Sequence, residues 1–240
     1  MNWSGECAVI IPCLNESSAI GSLVRAVRAQ LPAVLVVDDG SIDDTSEKAV
    51  QAGAEVVRHG FTKGKGAALQ AGWNRARNQG FKWALTMDGD GQHSPSDIPK
   101  FLKCAEQTGA DLVIGNRMGN PAGMPWLRRR VNLWMSRRIS SAAQRSMPDS
   151  QCGFRLIHLE VLAGLSVNTA HFEIESEVLL AFARAGLRIE FVPIQVIYKT
   201  EQSKINPLRD TVRWFKWWRS VEKHEAISGR HGAFQSSPVE

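Results

Sequence analysis

Trp83-Ala84-Leu85-Thr86-Met87-Asp88-Gly89-Asp90-Gly91 is a largely apolar run that breaks into two carboxylates and two glycines. Such a run, closed by a turn signal, reads as a buried strand. At its exit Asp88 and Asp90 stand one residue apart, and Gly89 and Gly91 let the backbone turn. Two such carboxylates offer oxygen ligands to a hard divalent ion, whose shell substrate phosphates can complete. An Asp-Gly pair is also a common solvated turn, so the surrounding sequence has to decide.

The rhythm repeats on both sides. Short apolar runs at 7–11, 33–37, 54–57 and 112–114 read as further strands, and helices fit 16–30, 43–52, 65–79 and 96–108. Strands alternating with helices predict an α/β fold, a mostly parallel sheet with helices on both faces. Functional loops then gather at the carboxyl ends of the strands, here 12–16, 38–44, 88–93 and 115–117. The second half differs. After a turn-rich break at 121–125, a basic helix is predicted over 126–145, strands over 153–157 and 188–197, a helix over 173–185 and a last helix over 207–222. The expectation is one domain over 1–225, with a nucleotide-binding half near 7–117 and an acceptor half near 118–225. A disordered Gly/Ser-rich tail is expected over 226–240.

Length and charge narrow the classes. A chain of 240 residues with 43% hydrophobic content supports one large core. Lys+Arg 29 against Asp+Glu 24 gives +5, which matters only where it clusters. The start lacks a basic n-region, so no secretory signal is expected. No stretch approaches the ~20 apolar residues of a membrane span. Cys7, Cys13, Cys104 and Cys152 are scattered without metal spacing, and read as reduced packing thiols of a cytosolic protein.

Each remaining motif has a plain structural alternative. Val37-Asp38-Asp39-Gly40-Ser41 ends a strand with two carboxylates that suit a ribose or base, or that cap the next helix. Gly64-Lys65-Gly66 fails as a strict phosphate loop, because the glycine spacing is short and no Ser/Thr follows the lysine. A helix start beside a lysine still favours an anion, and a turn role for the glycines competes. A calcium loop over 88–99 fails, with His93 where Gly is needed and Pro99 where Glu is needed; His93 then reads as structural or as a support to the ligands. Arg128-Arg129-Arg130 and Arg137-Arg138 interleave with Trp126, Leu127, Leu133 and Trp134. Arg209, Arg213, Lys216 and Arg219 interleave with Val212, Phe215, Trp217 and Trp218. Basic helices with such apolar sides suit an anionic membrane surface or ordinary packing. Nucleic acid is not expected, because no binding fold accompanies the charge.

Taken in order, these motifs resemble the family 2 glycosyltransferases, in particular the dolichyl-phosphate mannosyltransferase-like (polyprenyl-phosphate glycosyltransferase) group. The resemblance rests on Ile10 to Glu16, Val37 to Ser41, Gly64 to Gly66, Met87 to His93, Gly115 to Arg117, Asp149 to Leu156, Phe172 to Glu175 and Ser203-Lys204, across roughly 7–220. It implies a GT-A fold, a nucleotide-diphospho-sugar donor, a DxD motif and a divalent cation, Mg²⁺ or Mn²⁺. By the same resemblance Pro12, Leu14 and Glu16 line the nucleotide site, and Val37 and Asp39 hold base and ribose. Asp88, Gly89 and Asp90 form the DxD motif, with Asp90 the direct metal ligand and Gln92 beside it. Arg117 and Lys204 surround the diphosphate and the acceptor phosphate. Leu14 replaces a common Tyr, which removes stacking, and Lys199 stands near a usual Arg for which Lys is no equivalent. Asp210 before Arg213-Trp214 departs from the processive pattern.

The expected reaction is an inverting, single-step transfer to a polyprenyl phosphate, with Arg155 helping to bind the acceptor phosphate. The rival acceptor is a hydroxyl on a glycan or lipid, with Asp149 as base; a non-catalytic basic membrane protein is a further alternative. GDP-mannose, UDP-glucose and UDP-N-acetylglucosamine all fit as donors. The expected location is cytoplasmic, peripheral on the inner membrane face, with room for a membrane-embedded protein partner.

Overall fold

The computed structural model describes residues 1–119, 123–197 and 207–232, with side chains of the last stretch described over 211–223. Two compact units are present, Met1–Lys199 and Thr200–Glu240.

In the first unit a short helix α1 (Trp3–Glu6) leads into β1 (Cys7–Cys13). Then follow α2 (Ile20–Arg28), β2 (Val34–Asp38), α3 (Thr45–Gln51), β3 (Glu55–Arg58), α4 (Lys65–Asn78) and β4 (Trp83–Thr86). A 3₁₀ turn at Pro95–Asp97 opens α5 (Ile98–Thr108). After β5 (Leu112–Asn116) come α6 (Trp126–Ala143), β6 (Arg155–His158), α7 (Leu159–Ala163), α8 (Ile174–Arg184) and β7 (Ile189–Pro193). The seven strands run β3-β2-β1-β4-β6-β5-β7. All neighbours are parallel except β6, which is antiparallel to both β4 and β5.

The apolar runs become strands because both faces are covered. Ile10, Ile11, Val36, Val37, Leu85, Val113 and Ile114 are fully buried, and burying such a side chain contributes about 1.5–3 kcal/mol. The chain steps outward from β1 to β3, then returns past β1 to β4. Right-handed crossovers place α2 and α3 on one face and α4 on the other. Gly72 lets α4 lie close, since a Cβ there would come within 2.5 Å of Ile10 Cγ2.

Differences from the sequence reading are local. β1 continues through Pro12 to Cys13, where β2 still pairs with it but β4 has left. Pro12 therefore withholds an amide where no β4 partner waits. The helix expected from 16 starts at Ile20, because the amides of Asn15, Glu16 and Ser17 donate instead to Ser41, Thr45 and Asp43 side chains. Asn15 holds a left-handed φ of 54° there and accepts from the Ile42 amide. The strand expected over 188–197 ends at Pro193. Beyond it the chain crosses to the Asp88 loop, with a bridge between His93 and Val196 and a bond from Ile197 N to Gln92 O of 2.9 Å.

The second unit holds α9 (Pro207–Gly232). The helix runs ten residues past its expected end, so the domain end expected at 225 falls inside it, and 226–232 are helical. Residues 233–240 lie outside the described residues. Trp214 and Trp218, one turn apart, stack at 5.4 Å with planes 3° apart and are buried. Among the described side chains of α9, the exposed apolar ones are Val212 and Phe215. Among the described residues no helix is long and apolar enough to cross a membrane.

Candidate active site

The strand order reverses between β1 and β4, and ligands of open α/β sheets bind at the carboxyl ends beside such a switch point. The loops leaving β1 and β4 touch there. A Cβ on Gly89 would meet Cys13 Sγ at 2.6 Å, Pro12 O at 3.2 Å and Glu16 Cγ at 3.4 Å. Pro12, Leu14 and Glu16 are all partly exposed on that loop. The interlocking bonds from Asn15 to Ser17 tie it to the loop after β2.

Asp38 and Asp39 divide the two roles open to them. Asp38 is fully buried and accepts from the Ser41 amide and the Ser46 hydroxyl, so it builds the turn into α3. Asp39 is 4% exposed. Its Oδ1 bonds His59 Nδ1 at 2.7 Å and the Lys63 amide at 2.9 Å, and its Oδ2 accepts the Gly64 amide at 2.7 Å. Among the described residues Oδ2 takes this one bond, of the two a carboxylate oxygen can accept. Val37 is fully buried in β2.

Asp88 lies in a charge cluster assembled from distant segments. Lys65 Nζ, at the start of α4, donates to Asp88 Oδ1 at 2.5 Å and to Glu175 Oε1 of α8 at 2.6 Å. Phe172 covers the ammonium, its ring centroid 5.5 Å away. Gly153 floors the cluster, because a Cβ there would lie 2.7 Å from Asp88 Oδ1 and 2.9 Å from Glu175 Oε1 and Lys65 Nζ. Burial opposes the charge on Lys65, but Asp88 and Glu175 outweigh it and hold its pKa above the ordinary lysine value. Burial likewise opposes ionisation of Asp88, and Lys65, His93 and Arg117 outweigh it, holding Asp88 well below the carboxylate range. Asp90 goes the other way. Burial first, then the charge of Asp88, raises its pKa, and its Oδ1 accepts the Gln92 amide at 2.9 Å. Burial keeps His93 below the ordinary histidine value.

The donor set fits a hard cation in the way Mg²⁺ or Mn²⁺ is held when phosphates supply the remaining ligands. Two carboxylates and the side-chain carbonyl of Gln92 stand on one loop. The strain of Asp88 against Asp90 is of the kind a cation relieves. Among the described residues no three His, Cys, Asp or Glu side chains form a cage of their own.

Asp149 and Arg117 form a closed pair. Arg117 gives its amide and Nε to Asp149 Oδ2 at 3.0 and 2.8 Å, and Nη2 to Oδ1 at 2.8 Å. Asp149 is fully buried and Arg117 is 5% exposed. Burial opposes ionisation of Asp149, but Arg117 overrides it and lowers the pKa. A carboxylate enclosed this way is a poor general base. Arg155, expected at the acceptor phosphate, has another task. It is 2% exposed and donates to the carbonyls of Cys152, Glu175 and Ser150 at 2.7, 2.6 and 2.9 Å. Those three bonds pin the 150–152 turn to α8, a structural task the sequence did not suggest. Lys204, with Lys199, lies outside the described residues. The four cysteines are free thiols, and burial pushes Cys7 and Cys152 up to about 12.

Sequence reasoning gave no role to Glu175 and only a weak one to Lys65. The signal for Glu175 was a carboxylate beside the buried stripe of Ile174, Val178, Leu179 and Phe182, a position that calls for a cation. Lys65→Met is expected to leave the buried Glu175 and the partly exposed Asp88 without one, at a cost of about 3 kcal/mol. The native contribution of Asp88 is present above its ordinary pKa and fades as pH falls through the lowered folded value. Without Lys65 the burial that opposes ionisation of Asp88 is less well offset, so the deficit should shrink as acid protonates that carboxylate. Melting temperatures of K65M and wild type from about pH 4 to about pH 8 check this; a constant gap would contradict it.

The family described as Glycosyl transferase family 2 matches residues 8–165. The UDP-N-acetylglucosamine–dolichyl-phosphate N-acetylglucosaminyltransferase of Methanococcus voltae is 30% identical over 81% of this chain and 86% of its own length. The undecaprenyl-phosphate mannosyltransferase of Micrococcus luteus is 30% identical over 78% and 82%. The dolichol-phosphate mannosyltransferase of Pyrococcus furiosus is 32% identical over 73% of this chain and 52% of its own length. Glucosyl-3-phosphoglycerate synthase of Mycobacterium tuberculosis, solved with Mn²⁺ and uridine-diphosphate-glucose, shares the fold at a TM-score of 0.68, with 22% identity over 89% of this chain and 78% of that one. Matched from β1 to α7, the chain belongs to glycosyl transferase family 2.

Proposed function

We propose that the protein transfers a sugar from a nucleotide-diphospho-sugar to a polyprenyl phosphate, in one step and with inversion at the anomeric carbon. The observation that carries the choice of acceptor is the enclosure of Asp149. A hydroxyl acceptor needs a base within reach, and Asp149 has both oxygens engaged by Arg117. A phosphate acceptor is ionised already near neutral pH and attacks without one. The three relatives named for lipid-phosphate acceptors support the same reading.

In this reading Pro12, Leu14 and Glu16 receive the base side of the donor. Asp39, fixed by three partners, offers the second acceptor position of its Oδ2 to the ribose or base. Asp90, with Asp88 and Gln92, would hold Mg²⁺ or Mn²⁺, which supplies charge neutralisation on the leaving nucleoside diphosphate. Lys65 keeps Asp88 ionised. Lys204 is assigned the acceptor phosphate, and Arg117, whose Nε and Nη2 are held by Asp149, the diphosphate through its Nη1; their charge stabilises and positions the reacting groups. GDP-mannose, UDP-glucose and UDP-N-acetylglucosamine are the candidate donors. The test compares a short-chain prenyl phosphate with the corresponding prenol as acceptors. Transfer to the phosphate alone is expected; transfer to the prenol would turn the reading toward a hydroxyl acceptor.

We place the protein peripherally on the inner, cytoplasmic face of an anionic membrane, with a membrane-embedded protein as a further partner. Trp126 and Leu127 are 69% and 55% exposed beside exposed Arg129 and Arg130. Val212 and Phe215 are 53% and 41% exposed beside Lys216 and Arg219. Apolar side chains flanked by cations bind anionic lipid surfaces. Removing Pro207 onward is expected to release the protein from phosphatidylglycerol liposomes in a flotation assay. Unchanged flotation would assign attachment to α6.

A further inference from the structure

The Asp88 loop carries glycines at 89 and 91, and Gly91 has a φ of +69°. A segment so free in its backbone loses much entropy when fixed, so something must hold it. Gln92 N closes one turn on Asp90 Oδ1. The other closure comes from His93. Its Nδ1 accepts the backbone amide of Asp88 at 3.3 Å, which places the proton of the neutral ring on Nε2. The ring is 3% exposed. It stacks on Phe154 at 5.2 Å, and Phe154 stacks on Phe101 of α5 at 4.2 Å. Its backbone bridges Val196. His93 is thus anchored on three sides and reaches back over the loop to its first residue.

We propose that His93 is a positioning residue, whose Nδ1 fixes the Asp88 amide and so sets the two carboxylates in place for a divalent cation. The proposal rests on the cation reading of Asp88 and Asp90. Groups that orient metal ligands typically govern affinity by about 10–100-fold. The ring contributes an acceptor and an aromatic surface, and two substitutions separate them. Asparagine puts its Oδ1 the same number of bonds from Cα as Nδ1 but has no ring. Phenylalanine keeps the ring and leaves the Asp88 amide without an acceptor.

The test is titration calorimetry of Mn²⁺ with UDP or GDP into wild type, H93N and H93F, with melting temperatures alongside. H93F is expected to lose about tenfold or more in Mn²⁺-dependent affinity, and H93N to stay within about threefold of wild type. H93F binding as wild type, or H93N binding as weakly as H93F, would overturn the proposal. If H93F does not fold, H93L, which also lacks an acceptor for the Asp88 amide, takes its place under the same thresholds. A wild-type protein with no Mn²⁺-dependent binding would instead overturn the cation reading beneath it.

Discussion

Replacing Asp90 by alanine is expected to lower sugar transfer by about a thousandfold or more, with folding stability at or above wild type. The first half follows from charge. A cation at the leaving diphosphate contributes several kcal/mol in the transition state, and about 4 kcal/mol is a thousandfold. The second half follows from the direction of the Asp90 shift. Burial and the neighbouring Asp88 raise its pKa, so the fold favours the protonated form. Above both the unfolded and the folded pKa the charged carboxylate therefore costs stability, and its removal relieves that cost. The mutant should melt no lower than wild type near neutral pH and fail in the transfer assay. Full transfer by D90A would remove the cation from the mechanism. A large fall in melting temperature would show that Asp90 supports the fold.

Asp149→Asn is expected to behave in the opposite way. The variant leaves the buried Arg117 without its counter-charge, and breaking such a pair from one side costs about 3–5 kcal/mol. For a unit of this size the melting temperature should fall by on the order of 10 °C. Asp149 is held ionised by Arg117, so its contribution is present above the ordinary carboxylate pKa and is lost as pH falls through the lowered folded one. Wild type should therefore lose its advantage over D149N in acid. Activity of D149N, measured well below its melting temperature, should fall far less than that of D90A. A stable but inactive D149N would make Asp149 the base of a hydroxyl acceptor, against the enclosure seen here.

Most of the sheet was legible because its strands are short runs covered on both faces, as at Val36-Val37 and Leu85. The reversal of β6 was not, since an apolar run has no sign for direction, and α7 is too short to show a period. The start of α2 was misplaced because Ser41, Asp43 and Thr45, some 26 to 29 residues away, take the amides that would have begun it. The candidate site shows the same limit. The carboxylates of Asp88 and Asp90 stand out in sequence, but which charges are engaged depends on distant partners. Lys65 and Glu175 are 110 positions apart, and Arg117 and Asp149 are 32 apart. Arg155 reads as a phosphate ligand by its type and position, whereas the fold turns three of its five N–H groups onto carbonyls.

The measurement that bears most directly on the proposed activity is incubation of the protein and Mg²⁺ or Mn²⁺ with each of GDP-mannose, UDP-glucose and UDP-N-acetylglucosamine, labelled in the sugar, on liposomes carrying undecaprenyl or dolichyl phosphate. Label from one donor is expected in the lipid fraction, dependent on the cation and on Asp90. Cation-dependent donor binding with no label in lipid would contradict the polyprenyl-phosphate acceptor.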